Sequence, residues 1–398
     1  MAKTETRKTV RIFALASFLN DLGSDMIYPV WPLFVTAVLG ANMAVLGFLD
    51  GLGDVFVSIS QAVSGYLSDR IRKRKVFIWL GYLFGSLSRI GYAFSSAWQH
   101  LIPFRILDRA GKIRSAPRDA IIADISINEN RGRNFGLLRA ADNLGAVVGI
   151  IICILFFGLL GYRNLFLLAA IPSAIGVLLI LFLIKDYNPP TTSSHPDKSG
   201  WAPKKPAETK IYKGFSLKNL DKNFKLFILL SSLFALGSFS YSFLLIYAKE
   251  FGFKVTFVPV LYLIFTIVAS IFSLPFGKLS DKIGRKSVLM LAFIFWGLVC
   301  LSFIFLRSYL SIILTFVLYS LHKGALEPVQ KTFVAELSPI EYRASGLGGF
   351  QMVMGLCALP ASFIAGILWD KIGITMPFYF SLILTILSSL LLIFVKEK

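Results

Sequence analysis

Apolar residues run along this chain in long blocks, and a few polar, mostly basic positions separate one block from the next. A helix needs roughly 20 mainly apolar residues to cross the hydrocarbon layer of a bilayer. Twelve blocks satisfy this, at about 10–39, 43–67, 76–96, 98–119, 134–158, 163–184, 225–248, 255–277, 286–306, 309–333, 344–369 and 374–395. The pattern predicts an all-α integral membrane protein with twelve transmembrane helices, numbered here as spans 1 to 12.

The connections fall into two kinds. After span 2 the chain reads Asp69-Arg70-Ile71-Arg72-Lys73-Arg74-Lys75, after span 4 it carries Arg131 and Arg133, and after span 8 Lys278, Lys282, Arg285 and Lys286. Residues 40–42 and 97–100 hold no Lys or Arg, and the connection after span 5 has Arg163 alone. Basic connections stay in the cytoplasm, which places both termini there in a multi-pass protein of the plasma (inner) membrane. Residues 187–222 differ in kind, with Pro189-Pro190, a Thr-Thr-Ser-Ser run and seven lysines against three acids. They read as a cytoplasmic linker, and the part around 211–220 is suited to lie on anionic lipid. The linker separates two units of six spans, 1–186 and 223–398.

The two units repeat. Gly65-Tyr66-Leu67-Ser68-Asp69-Arg70 returns 212 residues later as Gly277-Lys278-Leu279-Ser280-Asp281-Lys282. At the same offset Glu129 and Arg131 meet Glu341 and Arg343, and Ala123-Asp124 meets Ala335-Glu336. One offset serving three separated places implies two pseudo-symmetric six-helix bundles from a duplicated unit. The doubled Gly-x-Leu-Ser-Asp-Arg/Lys stretch resembles the loop signature of the major facilitator superfamily, with Arg72 where that pattern has glycine. The resemblance implies a secondary transporter in which spans 1, 4, 7 and 10 line a central cavity. It also implies that the loops after spans 2 and 8 lock the cytoplasmic side, with Gly65, Asp69, Arg70, Gly277, Asp281 and Arg285 as gate residues.

Composition narrows the alternatives. Of 398 residues 56% are hydrophobic and 16% charged, with a mean hydropathy of +0.71, whereas a soluble domain carries roughly 25% charged residues. The net charge of +19 sits mostly in the connections, so it speaks for topology and against nucleic acid. Cys153, Cys300 and Cys357 lie inside apolar runs without metal-like spacing, so no disulfide framework and no metal site is expected. The first block has no small-residue cleavage site and reads as a span, not a signal peptide. No HExxH, P-loop or Cys/His cluster marks an enzyme, and no long span-free stretch marks an appended receptor domain. A monomer in the bilayer with a small-molecule substrate and no cofactor is expected.

Charge inside the spans is costly, on the order of 2.5–3.5 kcal/mol per residue near the bilayer centre. It is concentrated in spans 1, 2, 4, 5 and 10, and span 3 has only Arg89. At 100° per residue, Arg105, Asp108, Arg109, Lys112 and Asp119 of span 4 share a stripe about 80° wide. Arg114 and Arg118 point the opposite way, and Pro117 marks a kink or the exit. Span 1 offers Asn20, Asp21, Ser24, Asp25 and Tyr28 on one face, and span 2 aligns Asp50, Asp54 and Gln61. Asp21, Asp54 and Arg109 each lie roughly 16 Å deep, so pairing among them is expected. Span 5 adds Arg139, Asp142 and Asn143, span 7 adds Tyr241, and span 10 adds His322, Lys323, Glu327 and Lys331.

A carboxylate whose Arg contact changes between two states can load and release a proton. Asp21, Asp25, Asp50, Asp54 and Glu327 are the candidates for coupling, with sodium as the other candidate ion. The plainer reading is that these acids neutralise Arg105 and Arg109 and hold the first unit together. The substrate-facing candidates are Asn20, Tyr28, Arg105, Asp108, Arg109, Lys112, Arg139, Asp142, Tyr241, His322 and Lys323, with His322 equally readable as a satisfied buried histidine. Span 5 contains Asp142-Asn143-Leu144-Gly145 and Gly149, similar to the glycine motif of the superfamily's antiporters, although Ile150 stands where that motif has proline. The expected activity is proton-coupled export of a small organic molecule. The alternatives are proton-coupled import of a nutrient or anionic metabolite and, behind it, a lipid or amphiphile flippase or a non-transporting membrane receptor.

Overall fold

The computed structural model describes residues 3–71, 73–126, 128–184, 221–338 and 343–397. Every element among them is helical, because within lipid a helix satisfies its own backbone donors and acceptors. Span 1 is α1 (Lys3–Ile27), α2 (Trp31–Leu33) and a π turn, Phe34–Val38. Spans 2 and 3 are α3 (Met43–Ile71) and α4 (Arg74–Phe94). Span 4 is α5 (Trp98–Ala110), a 3-10 turn at Gly111–Arg114, and α6 (Ser115–Ile125). Spans 5 and 6 form one long element, α7 (Asn128–Leu183), broken at Gly161, whose φ of 66° and ψ of −176° end the first span and start the second. A residue with a side chain rarely adopts that conformation.

Span 7 is α8 (Lys222–Gly237) and α9 (Ser242–Phe251), separated by an irregular stretch. Spans 8 to 12 are α10 (Val258–Ile283), α11 (Arg285–Phe305), α12 (Tyr309–Leu337), α13 (Arg343–Lys371) and α14 (Met376–Phe394). Eight described helical segments are each long and apolar enough to cross a membrane, one of them holding both spans 5 and 6. Spans 1, 3 and 4 are not among them; span 4 is divided into helices of 13 and 11 residues. The linker expected at 187–222 lies almost entirely outside the described residues.

Helices α1–α7 form one bundle and α8–α14 the other. Within the first, a Cβ at Gly145 or Gly149 would overlap the backbone of Phe18 or Leu22, so the glycine pair of span 5 lets α7 lie directly on α1. The second bundle is filled by aromatic rings, among them Phe239, Phe243, Trp296, Phe303 and Phe378, joined edge to face or stacked. The bundles meet chiefly along α3 and α13, with lesser contacts of α7 on α10 and α2 on α9. Gly47, Gly51 and Gly366 lie in the main seam, where any Cβ would overlap backbone of the opposite helix. These contacts gather at the end where α3 begins, called here the outer end. Toward the other end the bundles part around a cavity.

Candidate functional site

The charges of span 4 meet their partners through a change of helix type. A 3-10 turn advances about 120° per residue against 100° in an α-helix, so the four residues Gly111–Arg114 add about 80° of rotation. Pro117, in the first turn of α6, lacks an N–H and crowds the carbonyl four residues back, which accounts for irregular backbone just before it. Gly111 crosses Gly81 of α4, where a Cβ on either would crowd the other's carbonyl, at 2.8 Å and 2.5 Å. The expectation that Arg114 and Arg118 face away is thereby corrected. Both line the cavity, beside Lys112 and Asp119.

That cavity has a volume of about 540 Å³ and lies between Asp21, Lys112, Arg118, Asp119, Arg139 and Asp142 of the first bundle and Lys331, Gly348 and Gln351 of the second. Its wall is a network of ion pairs. Arg118 reaches Asp119 at 3.0 Å and Asp142 at 3.9 Å, and Arg139 reaches Asp119 at 3.7 Å and Asp142 at 3.4 Å. Asp21 lies 3.8 Å from Arg114 and accepts from Asn20 at 2.9 Å. Lys112 and Lys331 face the same space, and neither is within 4 Å of a carboxylate among the described residues.

The innermost contacts centre on Asp50. Its carboxylate receives Arg105 Nη2 at 2.6 Å and Trp31 Nε1 at 3.0 Å from its own bundle. From the other bundle it receives Ser240 Oγ at 2.7 Å and Ser242 Oγ at 2.5 Å. Both serines sit where span 7 breaks between α8 and α9. Asp50 is 3% exposed and Arg105 2%, and the Arg105 guanidinium lies over the Trp31 ring at 4.5 Å. Arg109 bonds the Tyr28 hydroxyl at 3.3 Å, lies over its ring, and is 3.6 Å from Asp108. Tyr241 packs on Tyr262 and donates to the Tyr28 carbonyl at 3.4 Å, across the seam.

The expected pairing of Asp21, Asp54 and Arg109 does not occur. Gly53 faces Arg105 and Arg109, so Asp54, one residue on, is turned about 100° away. Its carboxylate and that of Asp25 have no hydrogen bond or ion pair among the described residues, although Arg109, Arg105, Asp50 and Lys323 act on Asp54 through space. Glu327 is exposed and has no ion pair among the described residues, and Lys323 points its ammonium toward the Tyr319 ring at 5.9 Å. His322 is elsewhere. It is fully buried, bonds Ala292 O at 2.8 Å through Nδ1, and is boxed by Phe234, Trp296 and Tyr319.

At the end opposite the seam, the repeated sequences make matching contacts. Arg74 pairs with Asp124 at 2.5 Å in the first bundle, and Arg285 pairs with Glu336 at 3.1 Å in the second. Arg285 also holds Asp281 at 2.5 Å and Ser280 at 2.7 Å. Gly65 faces Ala116 of α6, Arg70 reaches Tyr66, and Gly277 has open space around it. The side chain of Asp69 and residues Arg72 and Glu341 lie outside the described residues. Trp31, Ser240 and Ser242 were missed by sequence reasoning. The Ser-x-Ser beside Gly237 was the available signal, since alternating serines after a glycine weaken a helix and free donors.

The sequence profile of the Major Facilitator Superfamily matches residues 13–263 and 226–398. The chain belongs to the Major Facilitator Superfamily. An uncharacterized MFS-type transporter of Methanocaldococcus jannaschii is 40% identical over 98% of this chain and 96% of that protein. Multidrug resistance protein 2 of Bacillus subtilis is 25% identical over the same shares. Among solved structures, a mutant form of the nucleoside transporter NupG superposes with a TM-score of 0.78 at 17% identity, covering 97% of this chain and 98% of that one. This MFS transporter is thus a multi-pass membrane protein of two bundles, with a polar cavity between them.

Proposed function

We propose that this transporter is a proton-driven exporter of a small organic molecule, working by alternating access with the open end of its cavity toward the cytoplasm. The observation that carries this reading is the Asp50 carboxylate, which Arg105 and Trp31 hold from one bundle while Ser240 and Ser242 hold it from the other. Parting the bundles at the outer end removes the two serine donors and changes the balance between Arg105 and a proton for that carboxylate. The proton state and the conformation are then linked. Asp25 and Asp54, unpaired among the described residues and beside this centre, are further proton carriers, and Lys112, Lys323 and Arg139 contact the cargo. The cytoplasmic orientation rests on the basic connections. Export is supported by the name of the Bacillus subtilis relative.

The test is pH inside proteoliposomes on adding a panel of organic cations, anions and neutral metabolites, wild type against Asp50→Asn. Substrate-dependent proton movement lost in the variant supports the reading. Its direction separates export from uptake, and transport with no proton movement sinks proton coupling.

A further inference from the structure

We propose that Asp370 is the latch of the outer gate: its carboxylate, in the last turn of α13, holds the start of α3 in the opposite bundle and sets how often that end opens. Oδ1 accepts the Met43 N–H at 3.1 Å and Oδ2 the Ala44 N–H at 2.8 Å. These are the first two residues of α3, whose N–H groups have no partner within the helix. The third residue, Val45, is capped locally by Asn42 Oδ1 at 2.9 Å. One bundle therefore supplies the helix cap of the other, and the negative charge sits against the positive end of the α3 dipole.

The surrounding seam shows that this contact belongs to the closed state. Gly366 lies one turn before Asp370, and a Cβ there would overlap Met43 and Ala44, so the carboxylate reaches α3 only while the two backbones touch. The duplication adds a second argument. Moving back by the repeat offset, 212 residues, takes Asp370 to Gly158, and moving forward by it takes Ala44 to Thr256. That pair also adjoins across the bundles, with a Cβ at Gly158 meeting Thr256 at 3.9 Å. The same corner thus exists twice, and one copy carries the carboxylate while the other has a glycine in its place. Opening starts at the Gly158–Thr256 corner and is resisted at Asp370.

The inference rests on alternating access, and on neither proton coupling nor direction. Loss of a helix cap corresponds to a shift of roughly 2- to 30-fold in the closed-to-open ratio. The test uses the full chain, its three cysteines replaced by serine, in nanodiscs, with spin labels at Leu159 and Leu310. Both are exposed and lie outside the seam. Asp370→Ala should raise the long-distance population by that factor and Asp370→Asn by less, because one amide oxygen can still accept a single N–H. A maleimide that cannot cross the membrane should also label a cysteine at Ser362 faster from the outer side. Distances and labelling in Asp370→Ala equal to the parent overturn the latch. Unchanged distances together with normal proton-coupled transport remove the latch alone. One distance in parent and variants under every condition removes the latch and alternating access together.

Discussion

Removing the Asp50 carboxylate should destabilise the transporter more than removing both members of its ion pair. In Asp50→Ala the Arg105 guanidinium, 2% exposed, keeps its charge and loses its only carboxylate within 4 Å among the described residues. Stripping one partner from a buried pair costs about 3–5 kcal/mol, whereas replacing both by apolar groups of similar volume is near neutral or stabilising. Asp50→Ala/Arg105→Met should therefore recover most of the loss, leaving a deficit of about 1–2 kcal/mol for the bonds of Trp31, Ser240 and Ser242. Thermal unfolding followed by tryptophan fluorescence gives the comparison directly, since Trp31 stacks on Arg105. Transport should be lost in both variants, which separates folding from function. Equal destabilisation of the single and double variants would refute the reasoning, because Arg105 would then not depend on Asp50 for its charge compensation.

Gly51→Ala places a Cβ against the Leu359 backbone in the seam, and overpacking of about 1–3 kcal/mol should shift the population toward the outer-open state by about 5- to 140-fold. Gly348→Ala, which meets nothing within 4 Å, should leave the same label distances unchanged. Arg89 donates to Asn20 O and Ala169 O, both at 3.1 Å, and to Ser24 Oγ at 2.7 Å. Arg89→Lys should lower the unfolding midpoint although the charge is kept, because an ammonium cannot span these acceptors; an unchanged midpoint would count against a structural fork. Arg285→Gln should free Glu336 and Asp281 together and leave Arg74–Asp124 intact. Cysteine accessibility at each loop reads this, and equal loosening of both loops would contradict it.

The spans were legible because membrane crossing is written in contiguous composition. The boundary between spans 5 and 6 was foreseen between 158 and 163, and the break falls at Gly161. The repeat also foretold that Asp124 and Glu336 occupy equivalent places, and both pair with an arginine that opens the next-door helix. Partner choice was not legible. It depends on the rotational phase between helices, and a single 3-10 turn at Gly111–Arg114 carried Arg114 and Arg118 round to the cavity and changed the partner of Asp21. His322 shows the same limit, since one face of α12 fronts the cavity and the next is packed against Trp296. Asp370 falls just past span 11, where the sequence pattern assigned it no role, and only the tertiary approach of α13 to α3 gives it partners.

The cavity also shapes where the membrane voltage falls. Water and mobile ions in a space of 540 Å³ carry the potential of the open side inward, so the electric field concentrates across the thin, close-packed layer between the cavity floor and the outer surface. Asp50 and Arg105 are buried within that layer, beyond the residues that line the cavity. An elementary charge that crosses it gains or loses nearly the full drop, about 2.3 kcal/mol per 100 mV. Under the proposed coupling, a proton arriving at Asp50 from the outer side would do electrical work even when both solutions have the same pH. Voltage by itself would then drive the proposed cycle.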